Sequence, residues 1–493
     1  MNRMTALQRK VAYLVILLAM LVPILMIGRP ADRFDQNGTP VKSGGELAKL
    51  RFDYQLGEAS LGNVDPTSAA MNLVLLGFRG IAAGTLWVQA DDLKGRKEFD
   101  KLRQVVESII LLQPHFKSVW EFQSWNLTYN VSAECDDVKD RYYWVKEGLK
   151  FMIRGTERNR RVPELSYSAG AFTGTKLGRA DEKEHYRRYF RSDPDEEQFQ
   201  GGPDPVVNPE GKDNYLVARD WYEKANYLVN SLKIKQHRMD EPLFLSYPYQ
   251  SLIEYARAVQ SDGVQVDGIA LASEDEILEH LAMLSDEEID QLYKSWSNSC
   301  SEAWETAYLQ WINEYGRMRL LATDDTHFVL EDLPQEVKAD ADEEGTSVEH
   351  VQRWRTRYLK TTNYPMRKQL CEFERRPQTA LARYQLTEGK RRFTQLQDFI
   401  GARDLLRQGL ENMEGVIKLY ERPDGSNGIL VDEEDTVTEI LRALIMYTQS
   451  FVLSGEQVPA EFPLKDLIWD NPDPAIQTIK QEKMEAFQRT YGG

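Results

Sequence analysis

The chain has 493 residues, with 61 Lys and Arg against 78 Asp and Glu, for a formal charge of -17. It is long enough for two or three domain-sized units or one elongated array, so burying a core sets no limit. The acidic balance disfavours nonspecific attraction to phosphate backbones and anionic lipid surfaces, and no local basic face offers a nucleic-acid site.

Residues 11–28, VAYLVILLAMLVPILMIG, carry no charge, and 18 residues at about 1.5 Å each cross most of a hydrocarbon core of about 30 Å. Arg3, Arg9 and Lys10 precede them and favour a cytoplasmic amino terminus, although Arg29, Arg33 and Lys42 weaken the asymmetry. The expectation is a single-pass membrane anchor over residues 1–28, with the bulk of the chain extracytoplasmic; a cleaved signal peptide is the competing reading. Residues 29–45 then read as a Gly- and Pro-rich tether.

Residues 70–87 are apolar all round, with small residues that admit a close neighbour, and predict a buried helix. Over 85–130 the pattern is helix, turn, helix, break at Pro114, helix. Trp87, Ala90 and Leu93 share one face, as do Phe99, Leu102, Val106, Ile109 and Ile110, and Trp87 and Pro114 lie nearly as far apart as the signature Trp and Pro of a tetratricopeptide repeat. Phe122, Trp125 and Tyr129 form the next stripe, and Ala169, Gly170 and Gly174 predict a close helix crossing. Residues 179–195 read as a charged, solvated helix and its exit, and the prolines of 191–214 mark a long surface loop. Helices resume at 215–232 and, after Pro242 and Pro248, at 250–260; Trp304, Tyr308 and Trp311 make a core stripe beyond. Residues 333–347 are acidic and unpatterned, the best internal boundary. In 380–420, Leu386, Phe393, Ala402, Leu406 and Gly409 fall on large, aromatic and small positions of the tetratricopeptide pattern.

The reading is therefore all-α: an N-terminal transmembrane helix, then degenerate tetratricopeptide-like helical hairpins stacked as an α-solenoid. The array runs over 46–332, the linker over 333–347, a second helical region over 348–458 and a Pro-rich tail with a short helix over 459–493.

The segments LLGFRG (75–80), LQPHFKSVWEFQSWNLTYNVS (112–132), RYYWVKEGLKFMIRGTERN (141–159) and GRADEKEHYRRYFR (178–191) resemble a family of planctomycete membrane-anchored proteins of unknown function, often labelled iron-responsive-element proteins. The resemblance covers the anchor and roughly the first half. It implies a helical, tetratricopeptide-like body and brings no catalytic residue with it.

Chemistry is sparsely signalled. Cys135, Cys300 and Cys371 are widely spaced and read as small buried side chains, with no zinc, redox or haem spacing. The pairs Asp181 with His185 and Glu276 with His280 could each share a helix face but lack the ExxH spacing of a di-iron bundle. Residues 340–351 place acids as a calcium loop would, yet Val351 stands where a bidentate Glu is needed. Phosphate-loop, GxSxG and HExxH signatures are absent. No metal, cofactor or catalytic residue is assigned. Trp120, Trp125, Asn126, Tyr129 and Asn130 lie where an inner helix would face a groove, and Asn126 and Asn130 suit peptide-backbone contacts. The function expected is a membrane-tethered scaffold that binds protein or peptide partners. The alternatives are an enzyme or metal protein with a site built from distant helices, and a structural envelope component.

Overall fold

The computed structural model describes residues 79–263, 265–266, 269–270, 283–423 and 425–491, with scattered positions before residue 79. The chain is all-α; among the described residues the strands are two hairpins of two-residue strands, Gln265–Val266 with Ile269–Ala270 and Leu320–Leu321 with His327–Phe328.

Helices α1 (Arg79–Gly95) and α2 (Phe99–Leu112) pair, and α3 (Lys117–Trp125) packs on α4 (Val138–Arg158). Next come α5 (Pro163–Ala171) and α6 (Lys183–Arg191). Leu102, Val106, Ile109, Trp120, Tyr142, Met152 and Phe190 fill the first core. Local chemistry sets the ends: the Asp137 carboxylate accepts from Lys139 N at 2.7 Å to start α4, and Pro163 opens α5, where its missing N–H costs nothing.

A second core joins α5 to α7 (Asn214–Asn230), α8 (Glu241–Asp262) and α9 (Asp286–Leu309), then to α10 (Pro334–Glu343), α11 (Val348–Thr361) and α12 (Tyr364–Glu374). Its centre is aromatic, with Trp304, Trp311, Tyr315, Phe328 and Tyr358 all buried. A Cβ on Gly170 would stand 2.9 Å from the Tyr222 ring and 3.0 Å from the Ala218 carbonyl, so α5 and α7 do cross closely there. Ser285 and Glu288 form a reciprocal capping box at the start of α9. The third core lies among α13 (Pro377–Thr394), α14 (Phe399–Ile417), α15 (Glu434–Leu453) and α16 (Pro474–Tyr491), around Leu406, Leu410, Met413 and Leu441. In the α13–α14 pair a Cβ on Gly389 would stand 2.8 Å from Leu406, and one on Gly409 2.8 Å from Leu386, so each helix seats a leucine on the other's glycine.

Several local expectations change. Helix α8 runs through Pro248 from Glu241, because Phe244, Leu245 and Leu252 are buried together and the Asn226 amide donates to the Leu245 carbonyl at 2.9 Å. The acidic stretch 333–347 forms α10, which buries Val337 and Ala341 while Arg319 holds Glu343 at 2.8 Å and Glu344 at 2.7 Å. The loop at 191–214 is tied down: Lys146, itself buried, donates to Asp193 at 2.6 Å and lies 3.6 Å from Asp204, and Lys150 holds Asp204 at 2.7 Å. The Asn208 amide also donates to the Phe190 and Lys212 carbonyls, both at 2.9 Å. In α1, Ala83, Ala90 and Leu93 are buried whereas Ile81 and Val88 are exposed, and nothing approaches Gly84. The remainder of the apolar stretch, 70–78, lies outside the described residues.

The expected localisation is corrected. No helix among the described residues is long and apolar enough to cross a membrane. Helix α9, the longest among the described residues, opens with Asp286, Glu287 and Glu288. The described residues thus contradict the expected single-pass placement; residues 11–28, on which that expectation rested, lie mostly outside the described residues.

Candidate functional site

Where the three cores meet, a cleft of about 810 Å³ opens between α6, the last turns of α8, the tryptophans of α9, the end of α12, and the facing sides of α13 and α15. Its volume is near the top of the range of about 300–1,000 Å³ for ligand sites. Eight basic and seven acidic side chains line it, a much more even balance than the total charge of -17. On its wall the Trp296 indole donates to the Val259 carbonyl at 3.0 Å and the Trp304 indole to Gln260 Oε1 at 2.9 Å, which fixes both rings against α8.

Two buried arginines brace the cleft. Arg187 donates to Asn214 Oδ1 at 2.9 Å, to Asp213 Oδ2 at 2.7 Å and to Asp262. Burial works against its charge, but Asp213 and Asp262 together hold the guanidinium more firmly protonated than usual. Arg383 grips Glu374 with two donors, one of them Nε to Oε2 at 2.8 Å, and also donates to Glu439. Burial again opposes the charge, and Glu374 and Glu439 outweigh it. All of these bonds to carboxylates are charge-assisted, and the Arg383–Glu374 pair is bidentate, the kind that fixes geometry as well as energy. Burial raises the carboxyls of Asp262 and Glu374 above the usual range despite these partners.

Between the two braces sits Arg257, whose Nη2 donates to Glu433 Oε2 at 3.0 Å. Glu433 immediately precedes α15 and is only 4% exposed, yet its Oε1 has no partner, nor has Arg257 Nε, and both residues line the cleft. Burial pushes the Glu433 carboxyl up to about 7, against the pull of Arg257. A buried acceptor and a buried donor thus stand unpaired within one ion pair, an arrangement natural proteins seldom leave unsatisfied.

The five residues picked from the sequence lie elsewhere, and none lines this cleft. Trp120 and Asn126 are interior, the Trp120 indole donating to the Pro114 carbonyl at 2.9 Å. Asn130 Nδ2 donates to Asn126 Oδ1 at 2.8 Å, while the buried Asn126 Nδ2 has no partner. Trp125 is exposed and stacks on half-buried Tyr129 with centroids 5.6 Å apart, while Lys94 and Lys176 lie over the two rings at 5.2 and 5.0 Å. This surface coincides with a π-helical widening over Asn126–Val131, which follows α3 without a break.

Metal chemistry finds no cluster: among the described residues no three His, Cys, Asp or Glu groups are placed to hold an ion. Asp181 and His185 are exposed, and Glu276 and His280 lie outside the described residues. His115 Nδ1 lies 3.1 Å from Asn159 Oδ1. Cys300 and Cys371 are buried, and burial pushes both thiols up to about 12, which leaves them protonated and inert.

The cleft residues were present in the sequence as the charged run 179–193 and the acidic run 432–435, both of which resemble solvated faces. Their convergence with Arg257 and Arg383 depends on contacts across separate helix pairs. Comparison with protein families, curated proteins and solved structures returns no match.

Proposed function

We propose that the protein is a helical scaffold that holds an extended segment of a protein partner in the cleft between its second and third cores. The observation that carries this reading is the braced, ion-lined cleft of about 810 Å³, large enough for several residues of peptide and fixed by buried arginine forks rather than by mobile surface charges. The succession of helix pairs supports it as well. Reciprocal seating of Leu386 and Leu406 on Gly409 and Gly389 is the kind of contact that closes a tetratricopeptide-like hairpin, and arrays of such hairpins present grooves to peptides.

Selection from a random peptide library on the full chain tests this. Thr387 lines the cleft, so Thr387→Trp narrows it. Selected peptides are expected to lose binding to that variant and to keep it with Val88→Trp, at an exposed position on α1. Equal binding to the wild type and Thr387→Trp would overturn the reading.

A further inference from the structure

We propose that the cleft selects an acidic segment, one of whose carboxylates is received between Arg257 Nε–H and a protonated Glu433 Oε1, so that the protein takes up a proton at Glu433 as the ligand binds. This rests on the reading of the cleft as a peptide site and adds the chemistry of the peptide.

Geometry fixes where the proton goes. Glu433 Oε2 already accepts from Arg257 Nη2 at 3.0 Å, so the unpartnered Oε1 is the oxygen left to carry a hydrogen. Once protonated, Oε1 becomes a second donor of the ion pair that also carries the unpartnered Nε–H; both atoms are enclosed, so the pair has to part slightly to admit a ligand oxygen. Two donors from one ion pair suit the two oxygens of a carboxylate, and bonds of this charge-assisted kind are the strong ones. An ionised Glu433 would instead repel that ligand, so binding and protonation reinforce each other.

The surroundings favour the neutral form. Glu433 is faced by Arg257 from α8, by Glu374 and Cys371 from α12, and by Asp432 and Asp435 from its own stretch. Arg383, the other cation nearby, is taken by Glu374 and Glu439. With Glu433 neutral, the lining carries eight basic against six ionised acidic groups. Most of those acids are committed, Glu254 to Arg179 at 2.8 Å and Asp262 to Arg187 among them, while Glu184 and Asp435 are exposed. Lys183 and Arg442 line the cleft, are exposed, and pair with no acid among the described residues, leaving two cations for further acidic side chains. A polyphosphate chain meets the same cations and the same total charge of -17, so the test sets a nucleic acid beside the acidic peptide.

Calorimetric titration of the full chain tests the inference with four probes: a Glu-rich hexapeptide, its Gln counterpart, a Lys-rich hexapeptide and a single-stranded RNA oligonucleotide, each at pH 6.5 and 8.5. The Glu-rich peptide is expected to bind about tenfold or more tighter than its Gln counterpart at pH 6.5, and to weaken severalfold by pH 8.5. Glu433→Gln should bind it without that pH dependence, and Lys183→Glu with Arg442→Glu, both at exposed positions, should weaken it about tenfold. The acid selectivity is overturned if the Gln or Lys peptide binds best, and the proton uptake if Glu433→Gln keeps the same pH slope. Preference for the RNA would replace the peptide with a nucleic acid. Failure of every peptide would remove the peptide-site reading itself.

Discussion

Arg257 Nη2 donates to Glu433 Oε2 at 3.0 Å, linking the last turns of α8 to the residue before α15 across 176 positions of sequence. This bond bridges the second and third cores at the middle of the cleft. It also leaves one buried atom of each partner unpaired, which makes the cleft sensitive to pH.

Burial raises the Glu433 carboxyl from its usual value near 4.5 to about 7. A group whose folded value is raised adds stability that is complete below its unfolded value and is lost as pH rises through the folded one. The Glu433 contribution is therefore present at pH 4.5 and gone above about 7.5, a change on the order of 3 kcal/mol. Asp262 and Glu374, also raised by burial, act in the same direction, whereas Glu336 and Glu344 are lowered and titrate below this window. Urea denaturation of the full chain from pH 5 to 8 is expected to show falling stability, with a shallower slope in Glu433→Gln.

Arg383 is the cation that keeps Glu374 tolerable in a wholly buried position. Arg383→Met should cost about 3–5 kcal/mol, because breaking a buried pair leaves a bare carboxylate. Replacing both partners, Arg383→Met with Glu374→Met, should recover most of that loss in the same denaturation assay. A double variant no more stable than the single one would show that Glu439, not Glu374, is the partner that matters.

Gly409 allows α14 to rest on Leu386 of α13, and a Cβ there would also stand 3.1 Å from the Ala382 carbonyl. Gly409→Val is expected to destabilise by about 1–3 kcal/mol through overpacking. Adding Leu386→Ala removes the obstructing side chain, so thermal denaturation of the double variant should show less than the sum of the two single losses.

Lys146 holds the Pro-rich loop by the buried carboxylates of Asp193 and Asp204. With Lys146→Met the two acids lose their shared cation, and limited digestion by a glutamate-specific protease should cut faster at the exposed Glu196 and Glu197. Unchanged digestion would mean that Asn208 and Lys150 suffice to hold the loop.

Helical periodicity was readable from sequence because it is local. The stripes Leu102, Val106 and Ile109, and Leu386, Phe393, Ala402 and Leu406, are buried as their spacing implied, and Phe99 packs partly buried against the first. Boundaries were less legible where tertiary contacts override local preference, as at Pro248 inside α8 and in the acidic α10. Aromatic abundance does not separate core from surface. Trp120 is held inside by its bond to the Pro114 carbonyl, and Asn126 is enclosed and bonded to Asn130. The cleft was illegible for the opposite reason: its decisive residues, Arg187, Arg257, Arg383 and Glu433, look in sequence like ordinary surface charges. Only folding brings them together, and a charge has no periodic signature that reveals its partner.

Hydrogen–deuterium exchange of the full chain, with and without the Glu-rich hexapeptide at pH 6.5, tests the central claim most directly. Occupation of the cleft should slow exchange in residues 183–191, 254–262 and 433–442, the segments that line it, and leave 117–131 unchanged. Protection confined to 117–131, or none in those three segments at saturating peptide, would contradict it.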